Sequence, residues 1–209
     1  MSWHEPPDAP SPGPHDASAL SVLVWEGVRE HLLGLRLVEE DDRDAATGSD
    51  VAATGCSFLS STCGLFVTLR LAGALRGCMG VLETSEPLAM SVRRLARIAA
   101  GADPRFAPLR APELTSLSAE LTLLGQPVEP GCRGEALAAR LRPGVHGARL
   151  RAGSRTGLLL PRVALDWGWS SEEFLARVAE KAGLDAAAWR DDATEVFVFR
   201  AVSLEVERP

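Results

Sequence analysis

The chain has 209 residues, 46% of them hydrophobic, with 28 acidic against 22 basic side chains and a net charge of −6. That apolar share supplies a real core and excludes wholesale disorder, while the acidic balance argues against a chain built to coat nucleic-acid phosphates. No apolar run reaches the roughly 20 residues of a membrane-spanning helix, and the start is proline-rich instead of basic-then-apolar, so the expectation is a soluble, cytoplasmic protein.

Residues 1–16 carry five prolines and little to bury, which predicts a disordered arm ahead of one domain over 17–207. On this reading the arm is dispensable for folding. From Ala17, the spacing of Leu20, Val24, Val28, Leu32 and Leu35 predicts an amphipathic helix with Ser18 as its cap. Glu39 to Gly48 reads as a loop. Gly64–Leu71 and Leu75–Leu82 flank Ala72-Gly73-Ala74 as a β-hairpin, and Pro87 opens a helix whose apolar stripe runs from Leu88 to Ala99, ending at Gly101.

Asp103–Pro108 is a proline-stiffened loop, Pro112–Leu117 allows one helical turn, and Leu117–Leu124 alternates as a half-buried strand. A short helix follows near Gly134–Arg140, then extended segments at Val145–Arg151 and Gly157–Leu160, the second stopped by Pro161. Ser170 or Ser171 caps a helix through Phe174, Leu175 and Val178 to Gly183, and Thr194–Val206 closes the chain as a long strand. Hairpins and a long closing strand favour an α+β fold on a mostly antiparallel sheet. Trp167, Trp169 and Trp189 read as core residues.

Leu75-Arg76-Gly77-Cys78-Met79-Gly80 resembles the LRGC(I/M)G signature of the AMMECR protein family. Asp103-Pro104-Arg105-Phe106, Pro143-Gly144-Val145-His146-Gly147, Leu160-Pro161-Arg162-Val163, Glu173-Phe174-Leu175 and Lys181-Ala182-Gly183-Leu184 follow in the family's order. The resemblance covers about Ala17 to Val206 and implies two unequal lobes. It also implies company: bacterial and archaeal relatives occur beside, or fused to, a Memo-like protein and a radical SAM enzyme.

In a regular strand Arg76, Cys78 and Gly80 share one face, so the guanidinium would favour the thiolate and offer a forked donor to a small anionic ligand. Gly77 and Gly80 would let that ligand approach. The plainer alternative makes Cys78 a small buried hydrophobe, Arg76 half of an ion pair, and the glycines packing devices. His146 is the best candidate base for Cys78, against a satisfied, partly buried histidine, and Arg105 on its stiff loop is a second anion-holding candidate. The stripe Arg93, Arg94 and Arg97 reads as a solvated face, which makes nucleic acid an unfavoured partner.

Cys56, Cys63, Cys78 and Cys132 lack zinc or redox spacing, no metal-ligand motif, P-loop or GxGxxG occurs, and tyrosine is absent, so no metal or cofactor is expected. Three functions remain. They are a substrate- or partner-binding subunit of the Memo-like/radical SAM system acting through Arg76 and Cys78, a small thiol-dependent enzyme using Cys78 with His146, and a pure interaction module.

Overall fold

The computed structural model describes residues 2–35 and 58–209, which leaves the expected 39–48 loop and Cys56 outside the described residues. The chain falls into two units, Ser11–Thr122 with Ser203–Pro209 and Met1–Pro10 with Leu123–Val202. Six strands with their helices form an α+β fold.

In the first unit, α1 (Pro14–Leu32) starts three residues earlier than expected because Pro14 sits at its first turn, where the missing N–H costs nothing and the fixed φ suits a helix. Gly13 caps it without a side-chain bond. The hairpin forms as anticipated from β1 (Leu65–Leu71) and β2 (Ala74–Val81). Its two-residue turn puts Ala72 and Gly73 at φ of 50° and 85°, the left-handed pairing that matches strand twist. Leu65, Val67 and Leu69 alternate to full burial on one face, and α2 (Leu88–Gly101) packs on both strands. A 3₁₀ turn, Ala111–Ser116, leads into β3 (Leu117–Leu124), whose odd-numbered residues are buried as the alternation predicts. Arg93 and Arg94 of the basic stripe pair with Glu30 and Glu86.

The second unit pairs β4 (His146–Ala152) antiparallel with β5 (Arg155–Leu159) and with β6 (Glu195–Val206). Helix α5 (Ser171–Lys181) packs on β4 and β5, opened by a capping box in which Ser170 and Glu173 bond each other's backbone N–H. Short α3 (Gly134–Ala138) lies where a helix was expected. Helix α4 (Pro161–Trp167) was not anticipated: Pro161 starts a helix here instead of only stopping a strand, and Gly168 ends it at φ 64°. Trp189 is fully buried as expected, but Trp167 is 70% exposed and stacks on half-buried Trp169.

The structure places residues 2–10 of the proline-rich arm with the second unit. Pro6 and Ala9 are buried, Trp3 packs against the core of the second unit, and Glu5 joins an ionic cluster within it. The contacts of the arm run through charge and one indole, which leave no periodic trace in the sequence.

Helix α1 meets α2 at Gly27, where an added Cβ would collide with the carbonyl of Arg93. Gly27→Ala gains up to about 1 kcal/mol of helix propensity but forces backbone apart at a cost of about 1–3 kcal/mol. The clash is expected to win, so urea denaturation should show a lower midpoint for Gly27→Ala at an unchanged slope.

Candidate functional site

The signature segment occupies β2, an edge strand whose regular alternation is interrupted. Leu69 pairs with Gly77 while Arg70 pairs with Leu75, so Arg76 is the extra residue of a β-bulge. Arg76 Nε and Nη2 fork onto Glu113 at 2.7 and 3.2 Å, and Nη1 and Nη2 donate to the carbonyls of Ala107 and Pro108 at 2.7 and 3.3 Å. All three nitrogens are engaged, and Glu113 is held below its usual carboxyl range by this guanidinium first and by the Arg110 N–H next. Arg76 therefore anchors the 107–113 loop, and the forked donor expected for an anionic ligand is already filled from within.

Cys78 faces a different guanidinium. Its N–H donates to Asp103 Oδ2 at 2.8 Å and its carbonyl accepts from Arg105 Nη2 at 3.1 Å, while Arg105 forks onto Asp103 through Nε and Nη2 at 2.9 and 2.7 Å. Both backbone groups of Cys78 thus point away from β1, which makes Cys78 and Thr68 a non-hydrogen-bonded cross-strand pair with closely approaching side chains. Thr68 Oγ1 donates to the sulfur at 3.4 Å. Asp103 is nearly fully buried, and Arg105, against the opposing effect of burial and with help from the Cys78 N–H, holds its carboxyl far below the usual range. Arg105 is pushed up in turn by Asp103. Its side chain remains 54% exposed, with the guanidinium 5.4 Å from the Phe106 ring.

Neither signature glycine leaves room for a ligand. A Cβ on Gly77 would strike the Ala99 carbonyl of α2, and one on Gly80 would strike the ring of Phe66, its cross-strand partner. Their role is packing of helix and ring against the strand.

His146 lies in the other unit and is fully buried. The Arg142 backbone N–H can only donate, so His146 Nδ1 must accept at 3.1 Å, and Nε2 carries the proton toward Glu5 at 3.1 Å. Burial pushes the ring's pKa down, although Glu5 opposes this. A neutral ring with both nitrogens engaged has no lone pair for a thiol proton. The base expected for Cys78 is instead a satisfied buried histidine.

Asp103, Thr68, Glu113 and Glu5 escaped the sequence reading. Only Asp103 left a local signal: a carboxylate two residues before a guanidinium across a proline can fold back onto it. Among the described residues, no group of three or more His, Cys, Asp or Glu side chains is placed to hold a metal ion, and no helix is long and apolar enough to cross a membrane.

The AMMECR1 family model matches residues 35–204. A protein of Methanothermobacter thermautotrophicus is 40% identical over 139 residues, covering 66% of this chain and 72% of that protein. One of Pyrococcus furiosus is 38% identical over 151 residues, covering 70% and 72%. The crystal structure of an uncharacterised protein from Pyrococcus horikoshii superposes with a TM-score of 0.78 at 31% identity, covering 92% of both chains.

Two measurements check the site. Cys78 is half-buried, Cys63 is half-buried with its thiol pushed up by burial, and Cys132 is buried. Brief alkylation of the native protein near neutral pH, read by peptide mapping, should therefore label Cys78 ahead of Cys63 and Cys132. Preferential labelling of Cys132 would contradict the burial order. Asp103→Asn removes a carboxylate whose folded pKa lies below its unfolded value, so its stabilisation is present above about pH 4 and fades as pH falls further. Asp103→Asn should cost about 1–3 kcal/mol at neutral pH, and the gap from wild type should narrow below pH 4 in denaturation at stepped pH.

Proposed function

Because this chain belongs to the AMMECR1 family, we propose that it works as a binding subunit that presents the Cys78 edge of β2 to an anionic group on a partner or substrate. The observation that carries this reading is the exposed Arg105 guanidinium fixed on the carbonyl of half-buried Cys78 by a buried carboxylate. A cation pre-positioned by Asp103 and Pro104 loses little freedom on meeting a carboxylate or phosphate. The partners are a Memo-like protein and a radical SAM enzyme, following the company that the family resemblance implies.

The interaction-module view supplies part of the same account, since Gly77 and Gly80 serve sheet packing. A thiol-dependent enzyme is the weaker alternative. It needs a proton acceptor at Cys78, whereas Thr68 donates to the sulfur and Asp103 is occupied by Arg105 and two backbone N–H groups.

Co-purification with the Memo-like and radical SAM proteins of the source organism tests the reading. Wild type should retain them, and Arg105→Ala should lose at least tenfold in capture while circular dichroism stays native. Arg76→Lys should instead lower the melting temperature, because lysine cannot span Glu113 and two carbonyls at once, and its folded fraction should still capture. Equal capture by wild type and folded Arg105→Ala, or no capture by any variant, would refute the proposal.

A further inference from the structure

Four side chains donate to one carboxylate of the arm. Glu5 Oε1 accepts from Arg142 Nη2 at 2.7 Å, from His146 Nε2 at 3.1 Å and from Arg200 Nη2, and Oε2 accepts from the Trp3 indole N–H at 2.6 Å. Arg200 Nη1 donates to Asp8. The His4 N–H donates to the Pro130 carbonyl at 2.9 Å, and the Trp3 ring lies 5.6 Å from His146 against the hydrophobic core. The Trp3 N–H and then Arg200 hold the Glu5 carboxyl down at about 2, so it stays charged. Among the described residues, every hydrogen bond of the Arg142 and Arg200 guanidinium groups goes to the arm, and the Arg200 Nε is buried without a partner.

Two guanidinium groups aimed at one point need an anion between them, since like charges left together repel, and the neutral His146 ring adds an N–H donor to the same point. Arg142, His146 and Arg200 fall inside the stretch that the family model matches, whereas residues 2–10 fall outside it. The cationic side of this cluster thus lies inside the matched stretch and its carboxylate outside it. We propose that Arg142, His146 and Arg200 form a site for an extended peptide carrying an aromatic residue two positions ahead of a carboxylate, and that Trp3-His4-Glu5 fills it as an internal ligand. The core beside His146 takes the aromatic ring, the Pro130 carbonyl takes the peptide N–H, and the cationic cradle takes the carboxylate. Tethering gives the arm a millimolar-scale effective concentration, so a free peptide competes only when the arm is weakened. The site is independent of the Cys78 edge.

The test uses a fluorescently labelled peptide with the sequence of residues 2–10, titrated by anisotropy into full-length wild type, Glu5→Gln and Trp3→Ala/Glu5→Gln. The double variant should bind at least tenfold more tightly than wild type, with Glu5→Gln between them. Adding Arg200→Ala to the double variant, or Gln for Glu5 in the peptide, should weaken binding at least tenfold. Equal or absent binding across the folded series would overturn the proposal, and if a melt shows the double variant unfolded, Glu5→Gln alone decides against wild type. Free glutamate displacing the probe at peptide-like concentrations would reassign the cradle to small carboxylates and overturn the peptide assignment.

Discussion

The N–H of Cys78 donates to a carboxylate instead of to another strand, and the arrangement of the signature follows from that bond. An edge strand presents backbone donors and acceptors that must find water, a partner or a cover. Here Asp103 accepts the donor and Arg105 supplies the acceptor's hydrogen, so two side chains do locally what a neighbouring strand would do. Asp103 also holds Arg105, which places a cation at the thiol without any contribution from Arg76. Arg76, thrown out of register by the bulge, secures the far part of the same loop at Ala107, Pro108 and Glu113. The loop is pinned at both ends by guanidinium groups that differ in what they leave exposed.

Glycine has a recurrent use in both units. Phe66 lies over Gly80 and Phe199 over Gly147, each across a ladder from its glycine, so the ring covers backbone that a side chain would have displaced. Gly77 admits the Ala99 carbonyl, Gly27 that of Arg93, and Gly157 that of Val178, in each case letting a helix approach more closely than a Cβ permits. The glycines of the signature and of the Pro143–Gly147 block thus set separations between layers. Ligand access, the other reason for a glycine in a strand, has no space at either signature position.

Periodic and local features were legible in the sequence. The hairpin, α2 with its bounds, the alternation of β3 and a cap at Ser170 or Ser171 depend on neighbours two to four residues apart, which is the range over which a pattern can be read. Helix α4 was missed because a proline that ends one element can open the next. The bulge at Arg76 was missed because register depends on the partner strand, and one extra residue reverses which face each side chain occupies. The contacts of the arm were missed because Glu5 finds its partners more than 130 residues away.

The same limit explains why the two arginines exchanged roles. Proximity in sequence favoured Arg76 as the cation for Cys78, but a guanidinium is available to a ligand only through donors that the fold has not already engaged. Arg76 has all three nitrogens bound and a side chain 15% exposed, whereas Arg105 engages Nε and Nη2, has no Nη1 partner among the described residues, and is 54% exposed. His146 follows the same logic in its own unit: a ring with Nδ1 accepting and Nε2 donating is a structural residue whatever its potential chemistry. Free valence therefore separates a site from a scaffold, and it can be counted only after the distant partners are in place. By that measure the edge of the first unit with a guanidinium nitrogen left over is Arg105 beside Cys78, held there by Asp103.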